Sequence, residues 1–235
     1  MRRLAVCLTL VALVTAFGVM PAGAGEGNVK KFCKTNVAID TAEEGPSDRQ
    51  LERFRDTAPP EIAETVDEAV TIFQEEGEDA FEDEAFNALL AEVDQFVIDN
   101  CGYQQITVRM QDYAFEGIPE EIEKGTIAFS VLNEGEELHE FVVLRLKGDA
   151  TLDDLLELPE DASEEDFGEL ASEVRGGGFA FPGDSDLALM KLKKTGTYVA
   201  ICFIPVGSTP DTVDQEGGDG PPHFTEGMAA EFEVT

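Results

Sequence analysis

The apolar residues of this chain change their spacing near residue 102, and the change limits what can fold on either side of it. Upstream, Ile62, Val66, Ala69, Val70 and Phe73 recur at helical intervals, as do Phe86, Leu89, Leu90, Val93, Phe96 and Val97. Such spacing gathers side chains on one face of a helix. Ser47-Asp48-Arg49-Gln50 has capping-box spacing, which satisfies amide donors left orphaned at a helix start. Pro59-Pro60-Glu61 marks another start, since proline is tolerated in a first turn and an acid suits the N-terminal dipole. Asn100-Cys101-Gly102 ends the last helix, with glycine where a left-handed residue is needed. Downstream, Ile106, Val108 and Met110 alternate with Thr107 and Arg109, and Ile127, Phe129 and Val131 alternate with smaller or polar neighbours. Period two between Gly, Pro and acidic turns predicts short strands of an antiparallel sandwich or barrel. Further strands are expected at residues 141–146, 187–192, 197–203 and 228–234. Residues 151–174 interrupt them: Leu152, Leu155, Leu156, Phe167 and Leu170 predict short helices inserted as a lid or side excursion. Gly176-Gly177-Gly178 reads as a flexible turn. The whole is an α+β multidomain chain, a helical bundle followed by a β-sandwich.

The first residues suggest export. Met1-Arg2-Arg3 is basic, residues 4–19 carry no charge, and Pro21-Ala22-Gly23-Ala24 offers a small-residue cleavage site. The apolar run is too short to span a bilayer comfortably. Residues 1–24 are therefore expected to be a signal peptide removed before Gly25, leaving no transmembrane segment. The mature protein is then extracytoplasmic or secreted, with a helical domain at 25–102 and a β domain at 103–235.

Charge limits the partners. Removing Arg2 and Arg3 leaves 14 basic against 50 acidic side chains, a formal charge of 14 − 50 = −36. Nucleic acid and anionic lipid surfaces repel such a protein, whereas a positively charged redox or docking protein suits it. Plain solubility of an exported protein explains the acidity equally well.

Cysteine arithmetic is sharper. Cys7 leaves with the signal, so Cys33, Cys101 and Cys202 remain, an odd number in an oxidising compartment. Cys33 and Cys101 bracket the helical half, and a disulfide closing that loop stabilises by roughly 4 kcal/mol in the chain-entropy model. We therefore pair them. The thiol left over is a metal thiolate, a partner in an intermolecular disulfide, or an inert buried group.

The chain has two histidines, His139 and His223, both in the β half with Cys202, in the order His, Cys, His, Met. Gly196-Thr197-Tyr198-Val199-Ala200-Ile201-Cys202 resembles the strand before the copper-binding cysteine of the cupredoxin family. His223-Phe224-Thr225-Glu226-Gly227-Met228 resembles that family's second His and axial Met, and Asn133-Glu134-Gly135 before His139 resembles its first-ligand strand. The resemblance covers roughly residues 104–235. It implies an antiparallel Greek-key sandwich and one copper ion held by His139, Cys202 and His223 with Met228 as weak axial ligand. It also implies one-electron transfer between Cu(I) and Cu(II). A soft thiolate, two imidazoles and a distant thioether suit both copper oxidation states, and the thioether disfavours zinc. Phe141, Phe203 and Phe224 adjoin the ligands and are expected to keep water out. The chain departs from the family's pattern in two places: 20 residues, 203–222, separate Cys202 from His223 in an acidic, glycine-rich loop at about 205–222, and Glu140 stands where an Asn often ties the ligand loops.

Other chemistries find little support. There is no nucleophile elbow with a Ser-His-Asp set, no phosphate-cradling glycine loop and no histidine cluster for hydrolytic metal chemistry, so enzymatic turnover is not expected. The rival is a non-redox secreted module that stores or delivers copper, or a metal-free cupredoxin fold that binds a protein.

Overall fold

The computed structural model describes residues 22–42, 45–159, 162–212 and 217–235. The expected signal peptide lies outside them, apart from residues 22–24 at the head of the first helix. No helix among the described residues is long and apolar enough to cross a membrane.

Four helices come first: α1 (Ala22–Asp40), α2 (Asp48–Thr57), α3 (Ala63–Glu76) and α4 (Glu84–Asn100). The capping box forms, with the Gln50 side chain accepting from the Ser47 amide at 3.0 Å. The double proline sits in a turn, and α3 starts at Ala63. Gly102 adopts φ +64° directly after α4, as its place in the stop signal requires. Cys33 and Cys101 form a disulfide with Cα atoms 5.6 Å apart, joining α1 to the end of α4.

Nine strands follow in two sheets. One sheet runs β2-β1-β4-β7, from β1 (Gln104–Gln111), β2 (Ala114–Glu116), β4 (Gly125–Asn133) and β7 (Ser185–Leu192). The other runs β3-β9-β8-β5-β6, from β3 (Glu121–Ile122), β5 (His139–Leu146), β6 (Ala171–Ala180), β8 (Gly196–Ile201) and β9 (Ala229–Val234). The sheets are mixed rather than antiparallel throughout. β1 pairs parallel with β4, and β3 parallel with β9. The chain leaves β1 through the β2 hairpin, visits the second sheet as β3 and returns as β4, so β1 and β4 meet across a crossover and point the same way.

The glycine run is not a turn. Gly176, Gly177 and Gly178 lie inside β6, where the β5 register shifts between Phe141 and Val143. A Cβ at Gly178 would meet Val131 Cγ2 at 2.7 Å, and one at Gly176, where φ is +93°, would run into the Leu189 carbonyl. Glycine is needed there because this edge strand passes closely over the first sheet.

Packing forms three layers of contact. Ile106, Val108, Phe129, Phe141, Met190 and Phe232 fill the space between the sheets. Phe32, Phe54, Val66 and Val97 from the helices cover Ala128, Leu187 and Leu189 on the outer face of the first sheet. The expected insertion helices, α5 (Leu152–Leu156) and α6 (Glu164–Leu170), cover the outer face of the second, with Leu155 against Leu144, Val199 and Ile201. They lie packed on that face.

Carboxylates collect where helices meet sheet. Asp40, though exposed at the end of α1, turns its carboxylate onto β7 and accepts from the Leu189 amide at 2.8 Å. The Asp94 carboxylate makes no hydrogen bond among the described residues, and burial with the nearby Asp186 and Asp40 charges pushes it up to about 8. Burial likewise pushes Asp40 up to about 7.

Candidate metal centre

Each residue of the His, Cys, His, Met series is carried to one end of the sandwich by a different piece of backbone. His139 is the first residue of β5. Cys202 directly follows β8, and its sulfur lies in the core between the sheets. His223 opens a short 3-10 turn, His223–Glu226, and Met228 precedes β9. All four are 0% exposed, which is unusual for histidine and requires specific partners.

The 20-residue loop does not carry His223 away. Its two ends zip together as a neck: Pro205 bridges Pro222, the Val206 amide donates to the Pro221 carbonyl at 2.9 Å, and the His223 amide donates to the Ile204 carbonyl at 2.8 Å. Asp214 and Glu216 of the expected acidic loop lie outside the described residues. Further backbone bonds bind the ligand segments together, from the Phe224 amide to the Cys202 carbonyl at 3.0 Å, Cys202 to Met228 at 3.2 Å and Met228 to His223 at 3.0 Å.

Three donor atoms converge. The Nδ1 atoms of His139 and His223 face each other at 3.1 Å, and the Cys202 sulfur lies 3.4 Å from His223 Nδ1. His139, Cys202 and His223 are the only such group among the described residues whose ligand atoms all lie within 4.8 Å. Two bare lone pairs at 3.1 Å repel unless a proton or a metal ion lies between them. Met228 is brought into the same backbone loop and is buried beside Cys202 in the core.

The outer nitrogens explain why Nδ1 is the inward atom. His139 Nε2 lies 3.1 Å from Asp112 Oδ1, and His223 Nε2 lies 3.0 Å from Glu137 Oε2. A carboxylate at Nε2 holds the proton on that nitrogen and leaves Nδ1 bare. Asp112 itself accepts from the Glu136 and Glu137 amides at 3.0 and 3.2 Å, so it is fixed in place. Glu137 accepts from the Tyr113 hydroxyl at 3.0 Å and from the Gly207 amide. Hydrogen bonds from Gly207, His223 and Tyr113 outweigh its burial and hold its carboxyl below the ordinary value. Tyr113, at φ +67°, lies edge-on to the His223 ring with centroids 5.3 Å apart.

The sequence reading did not find Asp112 or Glu137. Glu137 stands two residues before His139 and Asp112 in the turn after β1, but nothing marks them among 50 acidic side chains.

Protonation favours metal capture at His139 and opposes it at the sulfur. Burial holds His139 below its ordinary value, so its ring is neutral at pH 7. Burial pushes the Cys202 thiol up to about 12, so an incoming cation must displace the thiol proton. The amides of Glu140, at 3.5 Å, and Ile204 point at the sulfur and favour its anionic form. Glu140 also ties the two ligand loops together, because its carboxylate accepts from the Phe203 amide at 2.8 Å. Phe141 and Phe224 are buried, and Phe203 packs edge-on to Phe224.

No family model matches the chain, and no curated protein matches it. Solved structures do. Auracyanin from Roseiflexus castenholzii is 18% identical over 56% of this chain and 97% of its own, with a TM-score of 0.34. Auracyanin A from Chloroflexus aurantiacus, a "blue" copper protein, is 16% identical over 56% and 99%, with a TM-score of 0.34. A multicopper oxidase is 11% identical over 56% of this chain and 44% of its own, with a TM-score of 0.30. Likenesses this distant assign nothing by themselves, and the reading of the site rests on its own atoms.

Proposed function

We propose that this chain is an exported copper protein that carries single electrons through one mononuclear site. The observation that carries the reading is the convergence of two imidazole Nδ1 atoms and a cysteine sulfur in a buried space, each imidazole braced at Nε2 by a carboxylate. The donor set fits copper: thiolate and imidazole together suit a borderline-to-soft ion, and the buried Met228 offers a weak thioether. Copper bound there would supply a Cu(I)/Cu(II) couple. His139, Cys202 and His223 would hold it, with the Met228 thioether as a further weak donor.

The protein's own contribution is rigidity and exclusion of water. Asp112 and Glu137 fix both rings, the neck fixes His223 relative to Cys202, and Glu140 fixes Cys202 relative to His139. A site that rearranges little between oxidation states exchanges electrons readily, and amide donors to the sulfur tune its potential. The disulfide supports an oxidising, extracytoplasmic compartment. The net charge of −34 supports a positively charged partner.

The test is to load the purified protein with Cu(II) and record its visible spectrum beside a Cys202→Ala control. An intense thiolate charge-transfer band, absent from the control, is expected. Tight Cu(I) binding without that band would reassign the protein to copper storage or delivery, and no copper binding would leave a metal-free module.

A further inference from the structure

Away from the candidate metal centre, basic side chains gather in one place. Four of the sixteen basic side chains, Arg145, Lys191, Lys193 and Lys194, line one pocket of about 370 Å³ between the two sheets. Arg145 lies six residues along β5 from His139, about 20 Å away at strand rise, so this pocket is separate from the metal centre. Thr41 and Ser172 also line it, with their hydroxyls donating to the Val37 and Arg145 carbonyls, and Glu173 is the one acid among the described lining residues.

The cations there are poorly neutralised. Among the described residues, Arg145 Nε is buried with no hydrogen-bond partner, its Nη2 donates to the Thr195 carbonyl at 3.3 Å, and the guanidinium also interacts with the Tyr198 hydroxyl, but no carboxylate pairs with it. Arg145 lines the pocket beside three lysines, and a guanidinium without a carboxylate partner favours an anionic acceptor there. Lys191 reaches the Thr41 hydroxyl at 3.5 Å. Burial and the neighbouring Lys193 lower its proton affinity, with Asp40 opposing them. The Tyr198 hydroxyl is already spent on the Lys194 carbonyl at 2.7 Å.

We infer that this pocket binds a small phosphate-bearing anion through Arg145, Lys191, Lys193 and Lys194. Forked guanidinium donors and clustered ammonium groups match a tetrahedral oxyanion. The acidity of the whole chain does not prevent this, because charges beyond about 8 Å are largely screened at physiological ionic strength. That acidity does oppose approach to an extended anionic membrane, so the ligand is a free phosphate compound rather than a lipid headgroup.

Inorganic phosphate titrated into the full chain, followed by amide chemical shifts, gives the test. Saturable shifts centred on residues 191–198 and on Arg145 are expected, and sodium chloride at matched ionic strength gives none. The exposed double substitution Lys193→Gln/Lys194→Gln is expected to weaken binding by about tenfold or more, the scale of losing a charge-assisted bond. Arg145→Lys keeps the charge but loses the fork and is expected to weaken binding as well. Chloride matching phosphate, no saturation, or no effect of the double substitution would overturn the inference. So would binding to phosphatidylglycerol vesicles, with phosphatidylcholine vesicles as control, in the absence of a response to free phosphate.

Discussion

The helical layer and the metal end of the sandwich both tie distant segments together at sulfur, by opposite means. Cys33 and Cys101 close a span of 68 residues with a covalent bond and leave nothing for chemistry. Cys202 is free, 0% exposed, and linked to its neighbours by hydrogen bonds alone. The first arrangement restricts the unfolded chain. The second positions a thiol that burial keeps protonated, in reach of two imidazoles. The same side chain therefore serves stability in one region and, on the proposed function, ligand chemistry in the other, and substitutions at the two should affect different measurements.

The largest expected effect on stability is at the disulfide. Cys33→Ser with Cys101→Ser should cost about 4 kcal/mol in denaturant unfolding while leaving the copper-loaded spectrum of the folded protein unchanged. A changed spectrum would show that the helical layer shapes the metal site. Next come the carboxylates behind the histidines. Asp112→Asn and Glu137→Gln should each lower copper affinity about 10- to 100-fold in competition titrations, because each ring loses the partner that orients it. Affinity unchanged in both would mean that the backbone alone positions the rings. Glu140→Ala should then cost about 1 to 2 kcal/mol of stability by leaving the Phe203 amide unpaired, whereas Glu140→Gln, which retains an acceptor, should cost less.

The smallest expected effect concerns the seam between helices and sheet. Asp94 has a folded value of about 8 against an ordinary 3.8, so the folded state holds that proton more tightly. Its contribution is fully present below about pH 4 and is lost as pH rises through 8. Asp94→Asn should therefore raise stability at pH 8 by at least about 1 kcal/mol and make little difference at pH 4. Thermal unfolding at the two pH values checks this, at roughly 2 to 4 °C per kcal/mol for a chain of this size. A variant less stable than the parent at pH 8 would mean that the carboxylate has a favourable partner there.

Much of the architecture was legible from residue spacing. The switch of apolar period near Gly102 marks the passage from helices to strands, and the two cysteines flanking the helical half do pair. Strand direction was not legible. A period of two records which face is buried but not which way a neighbour runs, so the parallel pairing of β1 with β4 left no trace in the sequence. The Gly176 to Gly178 run misled because glycine serves a tight turn and a close strand crossing equally well, and only Val131 and Leu189 across the interface decide between them. At the metal end, His139, Cys202 and His223 stood out by rarity. Asp112 and Glu137 did not, since a carboxylate that braces a histidine looks, in an acidic chain, like any other surface charge.

The neck at Pro205 and Pro222 makes ligand spacing a poor guide to ligand geometry. Once the two ends of the loop are locked to each other, the length of chain beyond them no longer sets where His223 sits. Lengthening a flexible loop costs little, about 0.6 kcal/mol for each doubling. Extra residues inserted beyond the neck should therefore leave the four buried side chains below in their places.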